Sequence, residues 1–241
     1  MKIIKLSAIE STNDFLKRLA ENDSASNGTI VQANFQFKGK GQLHKTWQSE
    51  AGKNLLFSVL YEFSNLKIAH RFYLNKIVSI TISSVLNHYV KNVKIKWPND
   101  IMAHNNKISG VLIENVFVGD LISKSIIGIG INVNQIKFDN LPKVTSLKKE
   151  LKKEINIDFL LLELIDELNK NIQLLQNKKF SEIDKLYFKK LYRFLKPSMY
   201  YNKKNGFFMA KIIDVLQNGL LKMELEDESI CLFDLKEIQF L

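Results

Sequence analysis

Four short segments carry residue types suited to chemistry on anions. The first is Lys38-Gly39-Lys40-Gly41-Gln42, with Lys45 and Trp47 close behind. Glycines let backbone amides approach an anion and lysines supply compensating charge, so the segment suits a phosphate or carboxylate held by a loop. It lacks the Walker spacing, and no GxGxxG follows a strand, so neither a P-loop nor a dinucleotide fingerprint is present. Taken singly, it reads as a solvated basic turn before it reads as a binding loop. The second segment, Lys96-Trp97-Pro98-Asn99-Asp100, is a strand end that packs an indole and then delivers two short polar side chains at a turn. An aspartate there can hold Mg²⁺ or a ribose hydroxyl, and Asn99 and Asp100 can equally be turn formers. Third, Lys107 opens an apolar strand with Gly110 three residues on. A lysine pointing into a sheet is costly unless it meets an anion, which suits it to stabilise a carboxylate attacking a phosphate; the competing account is surface placement at the strand's first residue. Fourth, Gly128-Ile129-Gly130-Ile131-Asn132-Val133-Asn134 reads as a strand whose glycines admit close backbone approach and whose asparagines suit a nucleotide, or whose glycines merely relieve packing.

The elements that must position these segments follow from periodicity. Ser11 or Thr12 caps a helix with Phe15, Leu16, Leu19 and Ala20 on one side, ended by the Ser/Asn-rich stretch 22–28. A strand at 29–33 precedes the polar, basic segment 36–53. A loop that long inside a compact domain is a functional candidate before any motif is named. Strand character at 54–61, a long core helix within 69–89 and a strand at 93–97 come next. The chain then passes through 101–103 and a polar turn at 104–106 to strands at 108–118 and 125–131, joined by Gly119-Asp120. Two amphipathic helices are expected at 157–177 and 181–192. Beyond Lys196-Pro197, short alternating runs at 207–215, 220–225, 229–233 and 237–240 are separated by turns at Asn205-Gly206, Asn218-Gly219 and Asp227-Glu228. The expected fold is α+β: a mixed sheet with flanking helices over residues 1–193, and a small β-barrel over 194–241. No internal repeat or low-complexity tract interrupts it.

Composition narrows the functional classes. The 241 residues are 46% hydrophobic and 10% aromatic, enough for a large core. The amino-terminal ten residues hold no apolar block of signal-peptide length, and the leucines around 159–162 are cut by Glu163 and Asp166, so neither export nor membrane insertion is expected. One cysteine, Cys231, and four scattered histidines give no disulfide and no zinc or Cys/His catalytic spacing, which fits a reducing, cytoplasmic setting. The net charge of +10 invites a nucleic-acid reading. Much of the excess, however, is Lys148, Lys149, Lys152, Lys153, Lys178, Lys179, Lys189 and Lys190, read as polar faces of the carboxy-terminal helices with no nucleic-acid module. Such a face can steer an acidic protein partner.

Order and spacing change the weighing of the four segments. Ser11-Thr12-Asn13 before the first helix, Gln36 ahead of the glycine loop, Gly52-Lys53-Asn54-Leu55 closing it, Lys96 to Asp100, Lys107 to Glu114, Gly128 to Asn134 and Thr145-Ser146-Leu147 together resemble the biotin protein ligase family. The resemblance runs by motif through roughly residues 1–150, and more loosely to the family's SH3-like barrel at the carboxy terminus. It implies a class II synthetase-like catalytic fold and two-step chemistry: biotin's carboxylate attacks the α-phosphate of ATP, and an acceptor lysine then attacks the activated carbonyl.

It further implies that Ser11, Thr12, Asn13, Gln36, Gly39, Lys40, Lys107 and Gly110 serve biotin. Lys40, Gln42, Lys45, Trp47, Asn99, Asp100, Lys107, Asn132 and Asn134 would serve ATP, with Lys107 and Lys40 catalytic and Asp100 a candidate Mg²⁺ ligand. The implied partner is the biotin carrier domain of a carboxylase, and the protein would be a monomer or homodimer. Many family members carry an amino-terminal winged helix; with this chain starting at the catalytic domain, specific DNA binding is not expected. The family's Gly-Arg-Gly-Arg core is Gly39-Lys40-Gly41-Gln42 here, and His44 stands where a glycine often does. Lysine lacks the guanidinium fork and Gln42 lacks the charge, so looser retention of the adenylate is expected. The alternatives are a lipoate or octanoate ligase or transferase of the same fold, against which Gln36 and the Lys-Trp-Pro-Asn-Asp segment weigh, and a non-catalytic RNA-binding module, for which no stacking platform is found.

Overall fold

A computed structural model describes residues 2–42, 45–139, 141–204, 206–235 and 237–241. His44, and Asn205 of the expected 205–206 turn, lie outside them. Seven strands form the first sheet: β1 (Ile3–Leu6), β2 (Ile30–Ala33), β3 (Leu55–Lys67), β4 (Val93–Lys96), β5 (Asp100–Ala103), β6 (Asn106–Val118) and β7 (Leu121–Ile131). Their order is β1-β2-β3-β7-β6-β5-β4, and only the β1–β2 pair is parallel. The helices are α1 (Thr12–Glu21), α2 (Phe72–Tyr89), α3 (Leu147–Leu151), α4 (Ile157–Gln176) and α5 (Phe180–Lys190). A second, wholly antiparallel sheet follows: β8 (Ser198–Asn202), β9 (Gly206–Val215), β10 (Leu221–Leu225), β11 (Ile230–Phe233) and β12 (Gln239–Phe240), in the order β11-β10-β9-β8-β12. The expected α+β class with a mixed sheet, flanking helices and a carboxy-terminal β unit is therefore what the chain adopts.

Side-chain alternation sorts the first sheet into two faces. Leu55, Phe57, Val59 and Tyr61 of β3, Val93 and Ile95 of β4, Ile101 and Ala103 of β5, and Ile127, Ile129 and Ile131 of β7 enter the main core with α2, α4 and α5. The residues between them face the other way. There Leu60 and Ile126 pack under Leu16 and Ala20 of α1, and the rest of that face is open to polar chemistry. Ser11 accepts from the Asp14 amide as the N-cap of α1, which fixes the start of that helix above the sheet; such a cap contributes about 1 kcal/mol.

The second sheet is bolted to the first unit. Trp97 Nε1 donates to the Gly219 carbonyl at 2.9 Å, the Tyr192 amide donates to Ile95 at 2.7 Å, and Tyr200, Ile212, Val215 and Met223 belong to the same buried cluster as α2. Gly219 has φ +96°, and a Cβ there would stand 2.7 Å from the Phe72 ring, so turn conformation and close packing both call for glycine. Lys76, fully buried on α2, reaches Asp184 of α5 at 2.6 Å and the Val215 carbonyl at 2.9 Å, with the rings of Tyr73, Tyr187 and Phe188 around its ammonium. Burial pushes its pKa down, and Asp184 opposes that shift.

Four strands and helices were not anticipated: β1, β5 (where a turn was expected to hold Asp100), β8 and the five-residue α3; Lys152, Lys153, Lys178 and Lys179 lie outside the helices whose faces they were expected to cover. Removing one partner of a buried ion pair strands the other charge, whereas replacing a buried cation by a similar apolar chain need not. Asp184→Asn should therefore cost about 3 kcal/mol in urea unfolding, and Lys76→Met clearly less. Equal losses would show that the pair does not carry the junction electrostatically.

Candidate functional site

A cavity of about 610 Å³ opens on the polar face of the first sheet. Its walls are residues of the 36–48 segment, the amino end of α1, a strap through Phe138, Leu141 and Val144, and, from the carboxy-terminal unit, Leu235 and Ile238 between β11 and β12 with Gln239 and Phe240 of β12. Among the described residues, four lysines line it (Lys40, Lys45, Lys96 and Lys107), against a single carboxylate, Asp100.

The strand order lays out the contents. On the β3 side, Gln36 Oε1 accepts from the Thr12 amide at 2.7 Å and from Thr12 Oγ1 at 2.9 Å. The Ser58 hydroxyl lies 2.7 Å from Thr12 Oγ1 and 2.6 Å from Asn13 Oδ1, and Asn13 Nδ2 donates to Glu114 at 2.7 Å. This is a knitted hydrogen-bonding corner of uncharged side chains, anchored at its far end on the Glu114 carboxylate. Next, across β7 and β6, Gly128 leaves room for Asn13, since a Cβ there would sit 2.2 Å from Asn13 Oδ1. Gly110 and Gly130 are direct cross-strand partners, and the Trp47 indole lies on both: Cβ atoms would meet it at 3.0 and 2.6 Å. The alternation Gly-Ile-Gly-Ile in β7 thus puts isoleucine in the core and leaves room on the other face for Asn13 and the Trp47 indole to seat against the backbone.

Lys107 owes its direction to a register shift. Strict alternation from Val111 would turn Lys107 toward the core, but the β5–β6 ladder slips between Ile101 and Met102. Ile108 enters the core instead, and Lys107 emerges beside Gly110. Its ammonium then reaches Asp100 at 2.5 Å and sits 5.6 Å from the Trp47 ring centroid. Main-chain bonds hold the strap against it: the Lys107 amide donates to Lys143, and the Thr145 amide to Lys107, each at 2.9 Å. In the glycine loop an antiparallel bridge pairs Lys40 with Thr46, and Lys40 is held to Asp14 at 2.7 Å. That hydrogen bond raises the Lys40 pKa.

Of the residues expected at the site, Ser11, Thr12, Asn13, Gln36, Lys40, Gln42, Lys45, Trp47, Asn99, Asp100, Lys107, Gly110 and Asn132 line this one cavity. Gly39 and Asn134 do not. Gly39 is a packing glycine, since a Cβ there would meet the Trp47 carbonyl at 2.6 Å. Both ends of the Asn134 amide are taken by the Ile155 main chain, at 2.9 and 3.0 Å, so the nucleotide contact expected of it has no support. Asn99 and Asn132 also donate to main-chain carbonyls, those of Val111 and Thr145, and act at least partly as clamps. Among the described residues, no cluster of three or more His, Cys, Asp or Glu can hold a metal by itself.

A sequence model of the Biotin/lipoate A/B protein ligase family matches residues 6–132. The chain belongs to this family. Within the ligase family, the Bacillus spizizenii "Bifunctional ligase/repressor BirA" is 26% identical over 231 residues, covering 93% of this chain and 70% of that protein. The Escherichia coli protein of the same name is 31% identical over 130 residues; the matched part is 53% of this chain and only 39% of that relative. The ligase fold is matched over the whole chain by a biotin protein ligase from Aquifex aeolicus solved in complex with biotin and ATP. The TM-score is 0.80 at 26% identity, with 100% of this chain and 98% of that one covered.

Sequence reasoning missed Ser58 and Glu114, which tie down Asn13, and the four residues supplied by the carboxy-terminal unit. Only the alternation of β3 and β6, once their pairing is known, signals the first two. Because the Trp47 indole rests on Gly130, Gly130→Ala should expel it and red-shift the emission of a protein that holds two tryptophans. Unchanged emission would show that the ring does not lie there.

Proposed function

We propose that this protein activates biotin with ATP to biotinyl-5′-AMP and transfers the biotinyl group to a lysine of a biotin carrier domain. One observation carries the reading: a corner lined by uncharged donors and acceptors and a cationic stretch share one cavity in strand order. A ureido head is neutral and needs hydrogen-bond complementarity, which Ser11, Thr12, Asn13 and Gln36 supply. The long apolar acid of the lipoate branch has no use for such a corner. Biotin's chain then runs past Asn13 and the Trp47 indole, which lie on Gly128, Gly130 and Gly110, and brings its carboxylate to Lys107.

The first step joins two anions. A carboxylate oxygen forms a bond to the α-phosphorus as the bond from that phosphorus to the bridging oxygen breaks, and the electron pair leaves with pyrophosphate. Lys107 and Lys40 offset the repulsion, and Lys107 serves best where Asp100 and Trp47 fix its ammonium before substrate arrives. Asn99, Asp100 and Asn132 flank the nucleotide. Mg²⁺ fits this site as an ion carried by phosphate, since Asp100 is the one carboxylate in the lining among the described residues; when bound, it would neutralise phosphate charge. In the second step the neutral amine of the acceptor lysine attacks the carbonyl carbon, AMP departs with the bonding pair, and the amine loses a proton. Trp47, Phe138, Leu141 and Val144 keep water from the mixed anhydride meanwhile.

Residues 1–193 would form the catalytic unit and 194–241 an attached SH3-like unit. The single cysteine supports a cytoplasmic setting, and no helix among the described residues is long and apolar enough to cross a membrane.

Labelled biotin should reach a carrier domain only with ATP and Mg²⁺ present, and biotin should outperform lipoate in ATP–pyrophosphate exchange; the reverse preference would assign the chain to the lipoate branch. Lys107→Ala should lower exchange by about 10²–10³-fold with an unchanged melting temperature. Exchange at the wild-type rate would remove Lys107 from the chemistry. With Lys40 and Gln42 in place of arginines, single-turnover reactions should release detectable biotinyl-adenylate into solution, and complete retention would contradict the looser hold argued for these residues.

A further inference from the structure

Asp14 has no part in the reaction as just described and does not line the cavity, yet it partners a lysine that does. It is the third residue of α1, and its amide donates to the Ser11 hydroxyl. A carboxylate at that place commonly reaches back to the N-cap amide as a capping box. Here it turns across to the glycine segment and meets Lys40 Nζ at 2.7 Å.

That pair ends a series of ties. The Ile9 amide donates to Phe35 and the Phe37 amide to Ile9, each at 3.1 Å, and the Lys38 amide donates to Glu10 at 3.0 Å. Among the described residues the main-chain bonding between these two stretches stops there. Two ion pairs carry it on, Lys38 with Glu10 at 2.6 Å and Lys40 with Asp14, and they straddle Ser11-Thr12-Asn13 of the hydrogen-bonding corner. Beyond Asp14 the segment is tied to Trp47 instead: the Trp47 amide donates to Gly39 at 2.9 Å, and Lys40 is bridged to Thr46. A shift of Lys40 therefore carries Trp47 with it. The Trp47 indole rests on Gly110 and Gly130, 5.6 Å from the Lys107 ammonium, so a displacement that starts at Asp14 reaches the reacting end of the cavity.

We propose that Asp14 is a positioning residue: its ion pair with Lys40 holds the glycine segment and Trp47 over bound biotinyl-adenylate and so sets how slowly that intermediate escapes. The assignment rests on the ligase reading above. A lysine ammonium on a flexible four-carbon stem roams unless a partner fixes it. It carries three hydrogens, and the one taken by Asp14 leaves two for a carboxylate or phosphate oxygen, so tether and ligand contact coexist. Half-exposed ion pairs contribute little to folding, which confines the effect to where Lys40 stands.

The test is the dissociation rate of preformed, labelled biotinyl-5′-AMP, chased with unlabelled compound, for wild type, Asp14→Asn, Asp14→Glu, Lys40→Met and the Asp14→Asn/Lys40→Met double variant. Asp14→Asn should release the adenylate about fivefold faster with an unchanged melting temperature, and Asp14→Glu, which keeps the charge, should restore most of the retention. In the Lys40→Met background Asp14→Asn should add nothing, since its action passes through that ammonium. A wild-type release rate in Asp14→Asn overturns the assignment. So does the same fivefold gain in the Lys40→Met background, which would confine Asp14 to the end of α1. A wild type that fails to bind biotinyl-5′-AMP overturns the ligase reading itself, and that failure is read before any variant is compared.

Discussion

Two negatively charged groups must touch for the reaction proposed here, and in water their repulsion and hydration keep them apart. Among the described residues, the cavity answers with four lysines and one aspartate, most of them on short polar faces of strands whose other faces are core. Fixed ammonium groups in a partly dry site act more strongly than mobile ions in water, and they need no reorganisation when charge moves. The cost is a site that repels itself when empty. Asp14, Asp100 and the rings of Trp47 and Phe240 reduce that cost by giving the lysines interim partners.

The sheet converts this requirement into order. Neighbouring strands each contribute one or two residues to a line: Ser58 on β3, Gly128 and Gly130 on β7, Gly110 and Lys107 on β6, Asp100 on β5, Lys96 on β4. A rigid ladder fixes the spacing of reacting groups better than loops do. Loops and helix ends supply what must fit around the ligand: the α1 amino end, the Lys40–Thr46 bridge and the strap bonded along Lys107. The second sheet closes the far wall, and its attachment through Trp97 and Lys76 ties the shape of that wall to the main core.

Much of this was legible in the sequence because it is local. The Ser11 cap, the Gly-Ile-Gly-Ile alternation and the Pro98 turn each declare themselves within a few residues. β1 did not, since four residues with Lys2 before them and Lys5 among them gain strand character only from pairing with β2. β8 was obscured by the proline just before it. The facing of Lys107 depends on a bulge, which shifts register without any marker of its own, so its role could be guessed from the motif but not its geometry. Asn134 shows the opposite failure: it sits in a motif run, yet its amide serves the Ile155 backbone. Ser58, Glu114 and Phe240 reach the site only through long-range pairing, which no spacing along the chain reports.

The most direct test of the central claim follows oxygen atoms. Biotin labelled with ¹⁸O in its carboxylate, turned over with ATP and a carrier domain, should leave one labelled oxygen in AMP and none in pyrophosphate, because carboxylate oxygen and α-phosphorus become bonded in the cavity. Unlabelled AMP, or label in pyrophosphate, would mean that the two anions never react there as described.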